Sequence, residues 1–146
     1  MAADPQQVWD DYYQRIRRRR IREAQIVHCG MTAAGVTDAT ILALDFRHFA
    51  SDEDCIRNLA AQLSEDYATT IKRVEHDDNY WLLDGTTRPD GIDKINEECL
   101  INWISFMCDV AQSHGCVFSG WQLTDLSSSR TWSNEKIGVD PEVECI

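Results

Sequence analysis

Residues 41–63 read Ile41-Leu42-Ala43-Leu44-Asp45-Phe46-Arg47-His48-Phe49-Ala50-Ser51-Asp52-Glu53-Asp54-Cys55-Ile56-Arg57-Asn58-Leu59-Ala60-Ala61-Gln62-Leu63. Leu42, Leu44 and Phe46 alternate with Ala43, Asp45 and Arg47, the period of a strand with one face more polar than the other. Asp45 and Arg47 share the polar side and are expected to pair with each other. Ser51 then offers an N-cap, and Asp52, Glu53 and Asp54 crowd the first helical turn, where the helix dipole favours anions. Ile56, Leu59, Ala60 and Leu63 follow at the spacing of a helix buried on one side. A strand therefore feeds directly into a helix.

Outward from this pair the pattern continues in both directions. Tyr67 to Val74 alternates and carries Thr69, Thr70 and Ile71, which favours a strand. Asp77-Asp78-Asn79 supplies turn chemistry before a second strand at Tyr80-Trp81-Leu82-Leu83, so the two form an antiparallel hairpin. Thr86 to Gly91 reads as a loop. Ile92, Ile95, Cys99, Trp103, Phe106 and Val110 mark a long helix from Ile92 to Ser113, widened by Leu100, Ile104 and Met107. Gly115 stands where such a helix ends in a left-handed residue, and Cys116 to Leu123 is the last strand. Upstream, residues 6–28 form a helix with Trp9, Tyr13 and Ile16 on one face, interrupted by the run Arg17–Arg20, and Gly30 to Thr40 is a linker.

The order is a helix followed by β-α-β-β-α-β. It predicts an α+β protein of the ferredoxin-like kind: a four-stranded antiparallel sheet with two helices on one face and an extra N-terminal helix. Residues 1–30 form a basic arm, 40–125 the domain body, and 126–146 a polar tail.

The chain has 146 residues and a net charge of −11. Residues 1–30 hold Arg15, Arg17, Arg18, Arg19, Arg20 and Arg22 against four acids, a balance of +2, so the remainder carries −13. A sequence pI near 4.6 argues against direct binding of nucleic acid, which depends on Lys and Arg displacing counterions, and suits a protein partner with a basic surface. No apolar run approaches the roughly 20 residues that cross a bilayer, and no signal for secretion follows the arginines. Six widely spaced cysteines without CxxC are then read as reduced thiols in the cytoplasm.

No nucleophile elbow, HExxH or phosphate-binding glycine loop occurs, and no enzyme or cofactor is expected. Cys108, His114 and Cys116 are a conceivable metal or catalytic set at a helix–strand junction, but their spacing is not that of paired zinc knuckles. Packed thiols and a helix-end histidine are the preferred reading, as they are for His28-Cys29. His48 and His76 lie near strand ends and are expected at the surface. The candidate partner-binding residues are Glu75, Asp77 and Asp78 around the hairpin turn, together with Trp121, whose other reading is a core position under the long helix. Trp132, in the polar tail, is a candidate external anchor.

The run from Ile41 to Thr124 resembles the regulator of ribonuclease activity B (RraB-like) family. Its most specific piece is Phe118-Ser119-Gly120-Trp121 after the long helix, similar to that family's aromatic-x-Gly-Trp; Phe118-Ser119 stands where the family usually has Tyr-Asp. The resemblance implies a small acidic cytoplasmic protein that binds a ribonuclease of the ribonuclease E type and lowers its activity without catalysis of its own. Two other readings remain open: an immunity protein that neutralises a basic, possibly nuclease, toxin, and a metal-binding or enzymatic domain using Cys108, His114 and Cys116.

Overall fold

A computed structural model of the chain describes residues 4–75 and 80–135. The elements run α1 (Pro5–Ala33), β1 (Leu42–Ala50), α2 (Glu53–Leu63), β2 (Ala68–Val74), β3 (Tyr80–Thr86), α3 (Glu97–Ser113), β4 (Val117–Asp125) and β5 (Thr131–Ser133). The protein is α+β, with three helices and a five-stranded antiparallel sheet ordered β2-β3-β1-β4-β5. No helix among the described residues is long and apolar enough to cross a membrane.

The expected four-stranded sheet is corrected to five strands. The additional strand comes from the stretch read as a tail, where Ser133, Trp132 and Thr131 pair with Gln122, Leu123 and Thr124 of β4. Three residues in a serine-rich context carry too little alternation to register as a strand. Trp132 supplies what the composition hides, since its ring packs against the core and does not reach outward as an anchor.

Caps decide where two helices begin. Asp52, not Ser51, closes α2 by accepting from the N–H groups of Asp54 (2.8 Å) and Cys55 (3.4 Å). Asn96 closes α3 by accepting from Cys99 N–H at 2.8 Å, so this helix starts at Glu97 and not at Ile92. Ile92 instead exchanges both backbone hydrogen bonds with Leu42 of β1. At the other end of α3, Gly115 adopts φ +70°, the left-handed conformation expected of it. α1 continues through Gly30 to Ala33 because Met31, almost fully buried, still faces the core.

The core lies between the helices and one face of the sheet. Leu42, Leu44, Phe46, His48 and Ala50 of β1 all turn toward it, with Leu83 of β3 and Phe118, Trp121 and Leu123 of β4 beside them. α2 contributes Ile56, Leu59 and Leu63, and α3 contributes Leu100, Ile104 and Met107. α1 adds Ala24, Val27 and Met31 along a face that its arginines complete. Arg20 pairs with the buried Glu23 at 2.7 Å and donates to Phe118 O at 3.0 Å, while Arg17 pairs with Asp109 of α3. The basic arm is thus folded back, and the arginine run interrupts the apolar stripe because two of its members make the contacts.

Phe46 packs against a position that only glycine fits. A Cβ built on Gly85 would lie 2.1, 2.5 and 2.7 Å from three ring carbons of Phe46. The ring cannot easily retreat, since Tyr67 and Trp103 meet it edge-on at 4.9 and 6.1 Å between centroids. Gly85→Ala is expected to destabilise the protein by about 1–3 kcal/mol through overpacking, read as a lower urea midpoint at unchanged slope. Pairing it with Phe46→Leu should cost less than the sum of the two single changes. Additive losses would show that the ring and the glycine do not share this space.

Candidate functional site

One face of the sheet is turned away from the core. Strand alternation places Asp45, Arg47 and Phe49 of β1 there. Register sets Thr86, Asp84 and Leu82 of β3 beside them on one side, and Gln122, Gly120 and Val117 of β4 on the other. A cleft of about 390 Å³ runs among Asp45, Arg47, Asp84, Thr86, Gln122 and Glu135.

Two of the cleft's carboxylates, Asp84 and Asp45, are paired with cations of the same chain. Arg47 donates to both oxygens of Asp84, at 2.6 and 3.0 Å, and the Lys72 ammonium stands 3.3 Å from the same group. The hydrogen bond from Arg47 is the main reason that the Asp84 carboxyl is held below the usual range, and burial opposes it. Asp45 accepts from Thr86 Oγ1 at 2.5 Å and pairs with Arg88 at 3.3 Å. Asp45 and Arg47 do share a face, yet each takes a partner other than the one expected. Residues two apart along a strand stand farther from each other than cross-strand neighbours do. Both acids are occupied by partners within the chain, which suits a stiff surface.

At the end of the sheet where β1 leaves and β4 enters, the surface turns apolar. A groove of about 540 Å³ is lined by Trp9 and Tyr13 of α1 and by Phe49, Tyr80, Leu82 and Val117 of the strands, with Glu135 and Arg47 at its polar side. Tyr13 is fixed by donating its hydroxyl to Cys116 O at 2.9 Å, and burial is the main cause that lifts its phenol to about 12. Trp9 is 55 % exposed, with Tyr12 and Tyr13 rings at 5.9 and 6.0 Å.

The run Phe118-Ser119-Gly120-Trp121 builds the junction between cleft and groove. The register shifts between Arg47 and His48, so Ser119 bulges out of β4, donating its hydroxyl to Arg47 O at 3.1 Å. The turn after β5 lies over Gly120, where a Cβ would stand at van der Waals distance from Glu135 Oε1 (3.4 Å) and Asn134 Oδ1 (3.5 Å). Trp121 N–H donates to Asn134 Oδ1 at 2.9 Å, and this holds Glu135 above the junction. The Trp121 ring itself points into the core and meets Trp103 edge-on at 6.5 Å. At 3 % exposure the Trp121 ring occupies the core position that was its other reading.

Among the other residues singled out in the sequence, Glu75 is exposed and lies 3.6 Å from Arg73, while Asp77, Asp78 and His76 fall outside the described residues. Cys108, His114 and Cys116 point to three different places. Cys108 lies near Arg17, Arg20 and Glu23, its thiol pushed up to about 12 mainly by burial. Cys116 turns its sulfur to His114 O at 3.6 Å, with Cys55 and Asp52 nearby, and burial raises it likewise to about 12. The His114 ring pairs with Gln62 at 2.8 Å. Among the described residues, no three His, Cys, Asp or Glu side chains converge as metal ligands. Trp9, Phe49, Tyr80 and Glu135 were not anticipated; the only trace of them in sequence is the aromatic cluster Trp9–Tyr13 at the start of α1.

His48 is not at the surface. It has no exposed area, faces the core from β1 beside Phe46 and Phe118, and neither ring nitrogen has a hydrogen-bond partner among the described residues. Burial drives its imidazole down to about 3, against about 6.5 in an unfolded chain. Below pH 6.5 the unfolded chain takes up a proton that the folded chain refuses, so stability falls from there toward pH 3. His48→Phe removes this dependence. Between about pH 7.5 and about pH 5, the wild type should lose about 2 kcal/mol more than the variant, measured by urea unfolding at each pH. Parallel pH profiles would show that His48 is already protonated or solvated in the fold.

Comparison with protein-family models, with curated proteins and with solved structures returns no match.

Proposed function

We propose that this protein is a non-enzymatic acidic regulator that binds a protein partner through a basic surface on that partner. We take the partner to be a ribonuclease, whose activity it lowers. The observation that carries this reading is the disposition of charge. Arg17, Arg20, Arg47, Lys72, Arg88 and Arg130 are each tied to a carboxylate of the same chain. These cations are taken up by internal pairs, although most of their side chains stay exposed, and the surplus behind the net −11 is displayed at exposed positions such as Asp11, Asp52, Asp54, Glu65, Asp66, Glu97 and Glu98. Such a surface steers a basic partner into contact over several ångströms and repels nucleic acid.

The framework in this reading is ferredoxin-like. The order β2-β3-β1-β4, with α2 and α3 as the two crossovers, supports it, and α1 and β5 are additions to it. The paired state of Asp45 and Asp84 supports a role without turnover. The resemblance of Phe118-Ser119-Gly120-Trp121 to the RraB-like pattern supports a ribonuclease as the partner.

Isothermal titration of the full chain into a purified endoribonuclease of the ribonuclease E type tests this directly. Binding is expected at about 0.05 M salt and should weaken by at least about tenfold at about 0.5 M, as exposed charges are screened. RNA cleavage should slow in proportion to occupancy. Absence of heat at low salt, or cleavage unaffected at saturation, overturns the ribonuclease reading.

A further inference from the structure

We propose that the groove between α1 and the start of β4 receives an arginine or lysine side chain from an extended basic segment of a partner protein. Glu135 is its counter-charge, and Trp9 and Tyr80 are its aromatic walls. The inference rests on the functional reading above only in taking the partner to be a protein.

The five tryptophans of the chain make the case. Trp103 and Trp121 engage other aromatic rings around the core. Trp81 and Trp132 lie at its margin, and each has a guanidinium over its ring, Arg73 at 5.9 Å and Arg130 at 5.4 Å. Trp9 is the exception among the described residues. It is the most exposed large apolar side chain described, and its ring neighbours are Tyr12 and Tyr13, with no cation. Its groove therefore lacks the element that completes the two marginal tryptophans.

Charge at the groove selects the same occupant. Two charged side chains line it. Arg47 is committed to Asp84 by two hydrogen bonds and feels Glu135 only at longer range, so Glu135 makes no ion pair with a cation among the described residues. Asp10 lines the adjoining hollow together with Trp9 and Tyr13. An anionic occupant would face the Glu135 carboxylate, with Asp10 close by in the adjoining hollow. An apolar one would cover Glu135 and leave its charge desolvated without a partner, which is costly. A guanidinium or ammonium stacks on the ring faces and pairs with Glu135 at once. The neighbouring cleft, which shares Arg47 and Glu135 with the groove, extends the path across Thr86 and Gln122 for the rest of an extended segment.

The probe is a blocked peptide of alternating arginine and glycine, titrated into the ¹⁵N-labelled full chain while the tryptophan indole N–H resonances are followed. The Trp9 resonance, assigned through Trp9→Phe, should shift saturably, and a glutamate–glycine peptide should leave it in place. Glu135→Gln should weaken the arginine peptide about fivefold, the loss of one charge-assisted pair. Trp9→Leu should weaken it further, with thermal midpoints unchanged in both variants. An unmoved Trp9 resonance, or equal affinity in Glu135→Gln, overturns the proposal. It is equally overturned if Val139→Asp shifts the Trp9 resonance without peptide, which assigns the groove to the chain's own C-terminal segment. A Trp9-dependent dimer in sedimentation would assign it to a second copy. Because no ribonuclease is present, failure here leaves the functional reading to its own calorimetry, and failure there leaves the groove assignment standing.

Discussion

Phe46 stands at the middle of the central strand, and its ring fills the space that a side chain at position 85 would need. β1 is paired along both edges, by β3 and by β4, so what its residues do on each face sets the two faces of the sheet. On the core side Phe46 is met edge-on by Tyr67 and Trp103, and Trp103 in turn meets Phe118 and Trp121. That chain of rings ties β1, β4, α3 and the end of α2 into one cluster. Trp103 is also anchored by donating its indole N–H to Tyr67 Oη at 3.0 Å. Edge-to-face aromatic pairs add about 0.5–1.5 kcal/mol each beyond their buried area, so the cluster fixes relative positions as well as contributing burial.

The same alternation puts His48 into the cluster and Asp45 and Arg47 on the other face, and the energetic consequences differ. A neutral imidazole with no protein partner costs stability that packing must offset. The ion pairs on the open face are partly solvated and each contributes about 0–1 kcal/mol. The Arg47–Asp84–Lys72 set is therefore better understood as shape than as stability. It holds long side chains flat against the sheet and leaves a cleft between the strands. The tight Arg20–Glu23 pair is different, because Glu23 is 3 % exposed and removal of Arg20 would leave its buried charge only the longer contact to Arg19, at 4.0 Å.

Sequence periodicity was informative where one element's burial decides its conformation. The β1–α2 pair, the hairpin strands, the left-handed Gly115 and the order of the elements were all legible, because each depends on neighbours within a few residues. What was not legible depends on register across the sheet. Asp45 and Arg47 could be assigned to one face from alternation, but their partners Arg88 and Asp84 follow from a pairing that no local pattern states. His48 looked like a strand-end residue because the continuation of the buried face to Ala50 is carried by a histidine and an alanine, neither strongly apolar. β5 was hidden by its length and its serines. Trp121 was ambiguous from the start, since a tryptophan after a glycine suits both a core and an interface; the bulge at Ser119 decides it by turning the ring inward.

The groove is the clearest case of a site that exists only in three dimensions. Its walls come from the first turns of α1 and from strand residues of β1, β3 and β4 far downstream in the sequence. They meet because α1 is pinned at two points on the start of β4: Tyr13 donates to Cys116 O and Arg20 donates to Phe118 O. These donors are seven residues apart, about two helical turns, so together they set both the rotation and the slide of α1 against the sheet. Trp9, one turn further toward the N-terminus from Tyr13, is carried by that clamp to the groove that Phe49 and Val117 also line. The arginine run that breaks the apolar stripe of α1 is thus what positions its most exposed tryptophan. A helix held by apolar contacts alone could slide along the sheet, whereas two directional hydrogen bonds to consecutive carbonyls on one side of a strand permit one register.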